Sequence, residues 1–209
     1  YLQYVKRICE GENVEHFMQY VSIDSFGDQA EYIRNGLDFD LLWDRVNQFL
    51  VEVPERSSIT FIITMTNLNV IGVPHLLAAI HGLRQIYSNT YQRVWFDTPL
   101  LRTPEWMRMD LLPESYSDQL EHLWAWMFRW RETEESRFKG FKDYEMQRLT
   151  RDIDWMREDN LTIERKNQLK ADFYRFFTEH DKRRGTDFLK TFPKMREWWL
   201  ECEQHAKEN

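Results

Sequence analysis

The chain carries 209 residues, with 28 Lys+Arg against 35 Asp+Glu and a net charge of −7. Its 42% hydrophobic and 15% aromatic content can bury a core, which excludes disorder for most of its length. The acidic balance disfavours nucleic-acid binding, because a duplex-binding face must be basic, and no run approaches the roughly 20 apolar residues of a membrane span.

The length allows one full domain, or half of a larger enzyme plus an appendage. No charged-then-apolar signal segment opens the chain. Cys9 and Cys202 are far apart and lack metal spacing, which points to a reducing compartment and a cytoplasmic location. Two thiols are also too few for an iron–sulfur cluster, which takes about four, or three with one open iron. The first residue is Tyr1 rather than Met, so the chain is read as a fragment that starts inside a longer reading frame or follows processing or trimming.

In chain order, the first strand is predicted over His16–Ile23, and a helix follows on the stripe Leu41, Leu42, Val46, Phe49 and Leu50. Ser58–Met65 is almost continuously apolar, as a parallel strand covered on both faces requires. Leu76, Leu77, Ile80, Leu83 and Ile86 then form a second helical stripe behind Pro74, and Arg93–Asp97 closes a β-α-β-α-β order with right-handed crossovers. Beyond Pro113 the pattern is helical, over about 115–135, 141–158, 163–183 and 187–206. Gly140 and Gly185 act as breaks, and Pro193 as a kink or boundary. The expected fold is therefore α/β over 1–112, with three parallel strands, followed by an all-helical region over 113–209. Three strands make a narrow sheet with an unpaired edge. The fifteen or so residues before the first strand fall short of the roughly thirty of a βαβ unit. The sheet reads as cut.

Ligands of parallel α/β folds bind beyond the carboxyl ends of the strands. The first strand ends in Ser22-Ile23-Asp24-Ser25-Phe26-Gly27, the second runs into Thr66-Asn67-Leu68-Asn69, and the third stops at Asp97-Thr98. Residues two apart share a face, so these ends offer a polar rim to a ligand rich in hydroxyl, amine or amide groups; the same residue types also cap turns.

The stretch VSIDSFGDQAEYIRNG (21–36) resembles the fourth strand and following loop of radical S-adenosylmethionine enzymes, which often read S-[IL]-D-G with an R-x-G element about ten residues on. Here the matching residues are Ser22, Asp24, Arg34 and Gly36. DFDLLWDRVNQFL (38–50) is similar to the next crossover helix, ITFIITMTNLNVIGVPHLL (59–77) to the fifth strand, and VWFDTPLLRTPEWMRMDLLPE (94–114) to the sixth with its exit. FFTEHDKRRGTDFLKTFPKMREWW (176–199) resembles the C-terminal end of the twitch-type branch, where D-x-x-R-x-x-x-F recurs.

The resemblance implies a partial (β/α)6 barrel that binds S-adenosylmethionine and a 4Fe-4S cluster held by a Cys-x3-Cys-x2-Cys loop. The cofactor is cleaved reductively to a 5′-deoxyadenosyl radical that abstracts hydrogen from a small-molecule or peptide substrate. It implies that Ser22 contacts the methionine or ribose part, that Arg34 pairs with the carboxylate and that Asp24 touches ribose or substrate. Asn69 and Asn67 would stand at the fifth-strand end. The cysteine loop and the first three strands are not in this chain. The resemblance thus makes it the C-terminal portion of such an enzyme, inactive without the N-terminal half of the barrel. Two alternatives remain: a non-catalytic module whose Trp-rich helices dock a protein, and a degenerate relative that has lost its cluster.

Other residues point less sharply. His75 and His81 are six apart and do not share a face as helical metal ligands would, and no other His has a companion. Trp124, Trp126, Phe128 and Trp130 could stack bases, but with the acidic balance they read as core or helix-docking surface. The basic group Lys182-Arg183-Arg184 with Lys190 and Lys194 reads as a solvated helix end, with a phosphate or peptide contact as the sharper reading, and the carboxylates Glu134-Glu135 and Asp152-Asp154 read as solvated helix surface. Asn160-Leu161-Thr162 matches a glycosylation sequon, but nothing else in the sequence indicates secretion.

Overall fold

A computed structural model describes residues 1–11, 13–158 and 161–208; Asn160 of the sequon lies outside them. The chain opens with helix α1 (Leu2–Glu10), which the sequence patterns did not suggest. Val5 and Cys9, four apart, bury its inner face, and Arg56 binds the carbonyls of Cys9 and Gly11 to cap its end.

Strands β1 (Phe17–Ser22), β2 (Ser57–Ile62) and β3 (Val94–Asp97) form a parallel sheet in that order, as the apolar runs predict. β2 lies in the centre and both neighbours are edges. The register sets Ser22, Ile62 and Asp97 in one row across the sheet, with Tyr20, Thr60 and Trp95 in the row two residues earlier. Alternation then gives the two faces different lives. Phe17, Phe61 and Phe96 meet the crossover helices: Phe17 stands 6.3 Å from Phe49, Phe61 5.8 Å from Trp43, and the Arg84 guanidinium 5.3 Å from Phe96. On the opposite face Trp95 stacks on Tyr144 at 6.4 Å, whereas Met18, Tyr20 and Ser22 are exposed.

The crossover after β1 contains a short α2 (Asp28–Ile33), also absent from the predicted elements, and α3 (Phe39–Glu52). Asp38 caps α3 by accepting from Leu41 N at 2.9 Å, and Phe39, Val46, Phe49 and Leu50 are its buried stripe. Its C-terminal end is closed by Arg93. That buried guanidinium donates to the carbonyls of Leu50 (2.6 Å), Val53 (2.9 Å) and Ser57 (3.1 Å). Helix α4 (Val73–Tyr87) carries Pro74 in its first turn and buries Leu76, Leu77, Ile80 and Leu83.

Helices α5 (Ser115–Arg129), α6 (Asp143–Arg157), α7 (Ile163–Arg184), α8 (Phe188–Thr191) and α9 (Arg196–Glu208) complete the chain. The predicted helix over 115–135 stops at Arg129, because residues 130–142 turn back with a bridge between Arg131 and Phe141. Pro193 splits the last predicted helix: its ring admits only a first-turn position, and a 3-10 turn (Pro193–Met195) separates α8 from α9. One continuous cluster of buried apolar side chains runs from Val5 to Cys202. At its centre Arg84 and Glu145, both without exposure, form a two-point ion pair, and Arg84 also donates to Val94 O (2.9 Å) and Gly140 O (3.3 Å). This pair ties α4 and β3 to α6.

Candidate functional site

The carboxyl ends of the strands meet loops with few degrees of freedom. Beyond β1, Asp24 turns inward and is 5% exposed. Its Oδ1 accepts from Thr64 N at 3.0 Å and its Oδ2 from Arg34 Nε at 2.8 Å. Arg34 follows α2, where its N–H closes the helix on Ala30 O at 2.9 Å. Gly36, at φ +82°, then turns the chain away in a conformation that side-chain-bearing residues rarely adopt. The Arg34 side chain is 37% exposed, and its Nη atoms hold no hydrogen bond among the described residues. A guanidinium fixed through Nε presents the planar Nη pair outward, which suits a carboxylate. Ser22 is exposed one strand position before Ile23, and its hydroxyl has no partner among the described residues.

The two asparagines stand deeper. Asn69 is buried and satisfies its own loop: Oδ1 accepts from Thr66 N (2.9 Å) and Nδ2 donates to Thr64 O (2.8 Å). Thr64 thereby links Asn69 to Asp24. Asn67 Nδ2 donates to Trp106 O at 2.9 Å, and its buried Oδ1 has no partner among the described residues. Ser25 and Gln29 pack so close to Gly72 that an added methyl group would lie 1.9 Å from Ser25 Oγ. Asp24, Arg34 and Asn69 thus belong to one hydrogen-bonded assembly, with Ser22 on its open side and Asn67 on the neighbouring loop.

A second polar cluster closes β3. Asp97 Oδ1 lies 3.3 Å from Arg148 Nε, and Arg151 binds both the Thr98 carbonyl and Asp152 Oδ1. The expectation that Asp152-Asp154 is a solvated pair is corrected here. Asp154 is exposed, but Asp152 sits on the inward side of α6 and is fully buried. Burial pushes its carboxyl up to about 6, with Arg151 opposing.

The basic group at 182–194 is likewise not wholly solvated. Arg184 donates to Tyr32 O (2.7 Å) and Glu31 O (3.1 Å), while Arg183 remains exposed and pairs with Glu179. Asp181 accepts from the Tyr32 hydroxyl at 2.7 Å. These contacts join α7 to α2, and sequence reasoning gave them no role; the signal was the D-x-x-R-x-x-x-F spacing, which puts Asp181, Arg184 and Phe188 at one helix end. No group of three or more His, Cys, Asp or Glu among the described residues could hold a metal. None of the described helices is long and apolar enough to cross a membrane. Comparison of the chain with family models, with curated proteins and with solved structures finds no match.

Proposed function

We propose that this chain is the C-terminal portion of a twitch-type radical S-adenosylmethionine protein, half of a partial barrel that supplies part of the cofactor site. The observation that carries the reading is Arg34, oriented by buried Asp24 at the end of β1 with its Nη pair open. Ser22 and Arg34 fit the amino-acid end of the cofactor: Arg34 would pair with its carboxylate and Ser22 would bond beside it. Asp24, with both oxygens engaged, holds Arg34 in place, and Asn69 with Asn67 shapes the adjoining loop. The cofactor, when bound with a reduced 4Fe-4S cluster, supplies hydrogen-atom abstraction from a small-molecule or peptide substrate. Cys9 and Cys202 do not fit such a cluster. Both are buried, on α1 and α9, and burial raises both thiols above their ordinary range, away from the thiolate a ligand must be. The cluster's ligands belong to the half of the barrel that this chain does not contain.

The open face of β1 supports the same reading. Met18 is 43% and Tyr20 59% exposed, and β1 pairs only with β2 among the described residues. On the other side of β1 a groove of about 570 Å³ lies between α1 and α3, lined by Leu2, Val21, Leu42 and Phe49 among others. A strand and helix from the missing half would cover both. The test is equilibrium dialysis of labelled S-adenosylmethionine against the chain and its Arg34→Ala variant. Removal of one charge-assisted contact, worth about 1.5–3 kcal/mol, predicts binding weaker by at least about tenfold. Equal retention by both proteins contradicts the assignment.

A second reading rests on Phe128 and Trp130, 44% and 53% exposed at the end of α5. They suit a protein-docking module, in which Arg34→Ala would have no effect and changes at these two aromatics would abolish partner binding.

A further inference from the structure

We infer that Tyr32, Asp181 and Arg184 form a clamp through which the C-terminal helical region positions Arg34; its link to cofactor binding rests on the function proposed above. Helix α2 has only six residues, too short to hold itself together. Its last turn leads within two residues from Tyr32 to Arg34, so whatever fixes Tyr32 fixes the start of the Arg34 side chain.

The clamp works on three levels. Arg184 divides its fork between the carbonyls of Glu31 (3.1 Å) and Tyr32 (2.7 Å), two of the acceptors that the end of α2 leaves without helical partners. The Tyr32 hydroxyl donates to Asp181 Oδ1 at 2.7 Å, and burial with the Asp181 carboxylate keeps the phenol far above its ordinary range, hence always a donor. The Tyr32 ring is held by Phe177 at 5.9 Å and Phe192 at 5.2 Å.

The partners are themselves fixed. Asp181 accepts from Thr186 Oγ1 (2.7 Å) and, through Oδ2, from Phe188 N (2.7 Å), so its carboxylate is set by the turn after α7. Gly185 at φ +65° makes that turn. Arg184 Nη1 stands 2.8 Å from His180 Nε2, which must accept because a guanidinium only donates. Gln29 Nε2 adds a strap to Thr191 O at 3.4 Å. Residues about 150 positions apart in sequence therefore hold one short helix, and none of them touches the open Nη pair of Arg34.

The experiment compares the full chain with Asp181→Asn and Tyr32→Phe, reading hydrogen exchange at Arg34 Nε–H and at the amides of residues 30–34 by NMR. Loss of one hydrogen bond to a charged group predicts exchange faster by about tenfold there. The amides of Ile59–Ile62 should keep their rates, and affinity for S-adenosylmethionine should fall by a similar factor. The same protection at Arg34 in both variants overturns the inference, and so does a uniform loss across the sheet, which would make the contacts a general staple. Tyr32→Phe keeps the ring and carries the test where Asp181→Asn fails to fold. A wild-type chain that does not bind the cofactor removes the proposed function, while the exchange rates still decide the clamp.

Discussion

Asp152→Asn should make the protein more stable at neutral pH. In the folded chain the carboxyl is fully buried, Oδ1 meets Arg151 Nη2 at 2.8 Å, and Oδ2 has no partner within hydrogen-bond distance among the described residues. Burial lifts its pKa from 3.8 to about 6. A folded pKa above the unfolded one means that the native state holds the proton more tightly. The stabilisation is complete below 3.8 and is lost as pH rises from there through 6. The gap amounts to about 3 kcal/mol at 1.36 kcal/mol per pKa unit. Asparagine keeps the shape and the acceptor without the charge, so at pH 7.5 the variant should gain about 3 kcal/mol, or about 6–12 °C in Tm for a chain of this size. At pH 4 the two proteins should unfold nearly together. Urea unfolding at both values is the assay. No gain at pH 7.5, or an equal gain at both, refutes the assignment of a charged, buried carboxylate on α6. A confirmed gain would show that the native chain gives up stability by burying this charge on α6.

Four further predictions follow from the packing. His81 is stacked on Phe141 at 5.1 Å, and burial, with Arg84, lowers its pKa from 6.5 to about 4. Through His81 alone, acidification from 6.5 to 4 should therefore cost about 3 kcal/mol; Asp152 offsets this in the native chain, so His81→Leu should leave a chain that gains about 3 kcal/mol over the same fall in pH. Asp152 acts in the opposite sense over nearly the same range, so each single variant exposes what the other masks. Glu145→Ala strands the Arg84 guanidinium in the core and should cost about 3–5 kcal/mol in urea unfolding; a loss under 1 kcal/mol would mean that water reaches it. Gly82 has open space around an added methyl, so Gly82→Ala should stabilise α4 by about 1 kcal/mol. Gly72→Ala, which would meet Ser25 Oγ, should destabilise by about 1–3 kcal/mol.

The sheet was legible because its signals are local: β-branched and aromatic runs between polar breaks place all three strands within a residue or two, apart from the end of β2. Ser58–Met65 overran, since Ile63 and Met65 stay buried after the pairing of β2 ends, with Met65 forming an isolated bridge to Leu100. Helices α1 and α2 were not legible. Each owes its form to distant groups, Arg56 in one case and Arg184 with Asp181 in the other. The same holds for buried charge. Asp152 looks like a surface residue in charge-rich sequence and Arg84 is the single charge between Arg56 and Arg93; only tertiary packing buries both. At the candidate site the pairing of Asp24 with Arg34 brought together two residues chosen from the sequence. The engagement of both Asp24 oxygens, which makes it a holder of Arg34, needed the three-dimensional arrangement.

The most direct test of the central claim is a chemical-shift titration of the 209-residue chain with S-adenosylmethionine. Half of a site should bind weakly, with a Kd of about 1 mM, or about −4 kcal/mol. The account predicts shifts confined to the amides around Ser22–Asp24, Thr64–Asn69 and Arg34, with movement of the Arg34 Nε–H, and their loss in Arg34→Ala. No shift in that group at millimolar cofactor, or shifts that persist without the arginine, would contradict it.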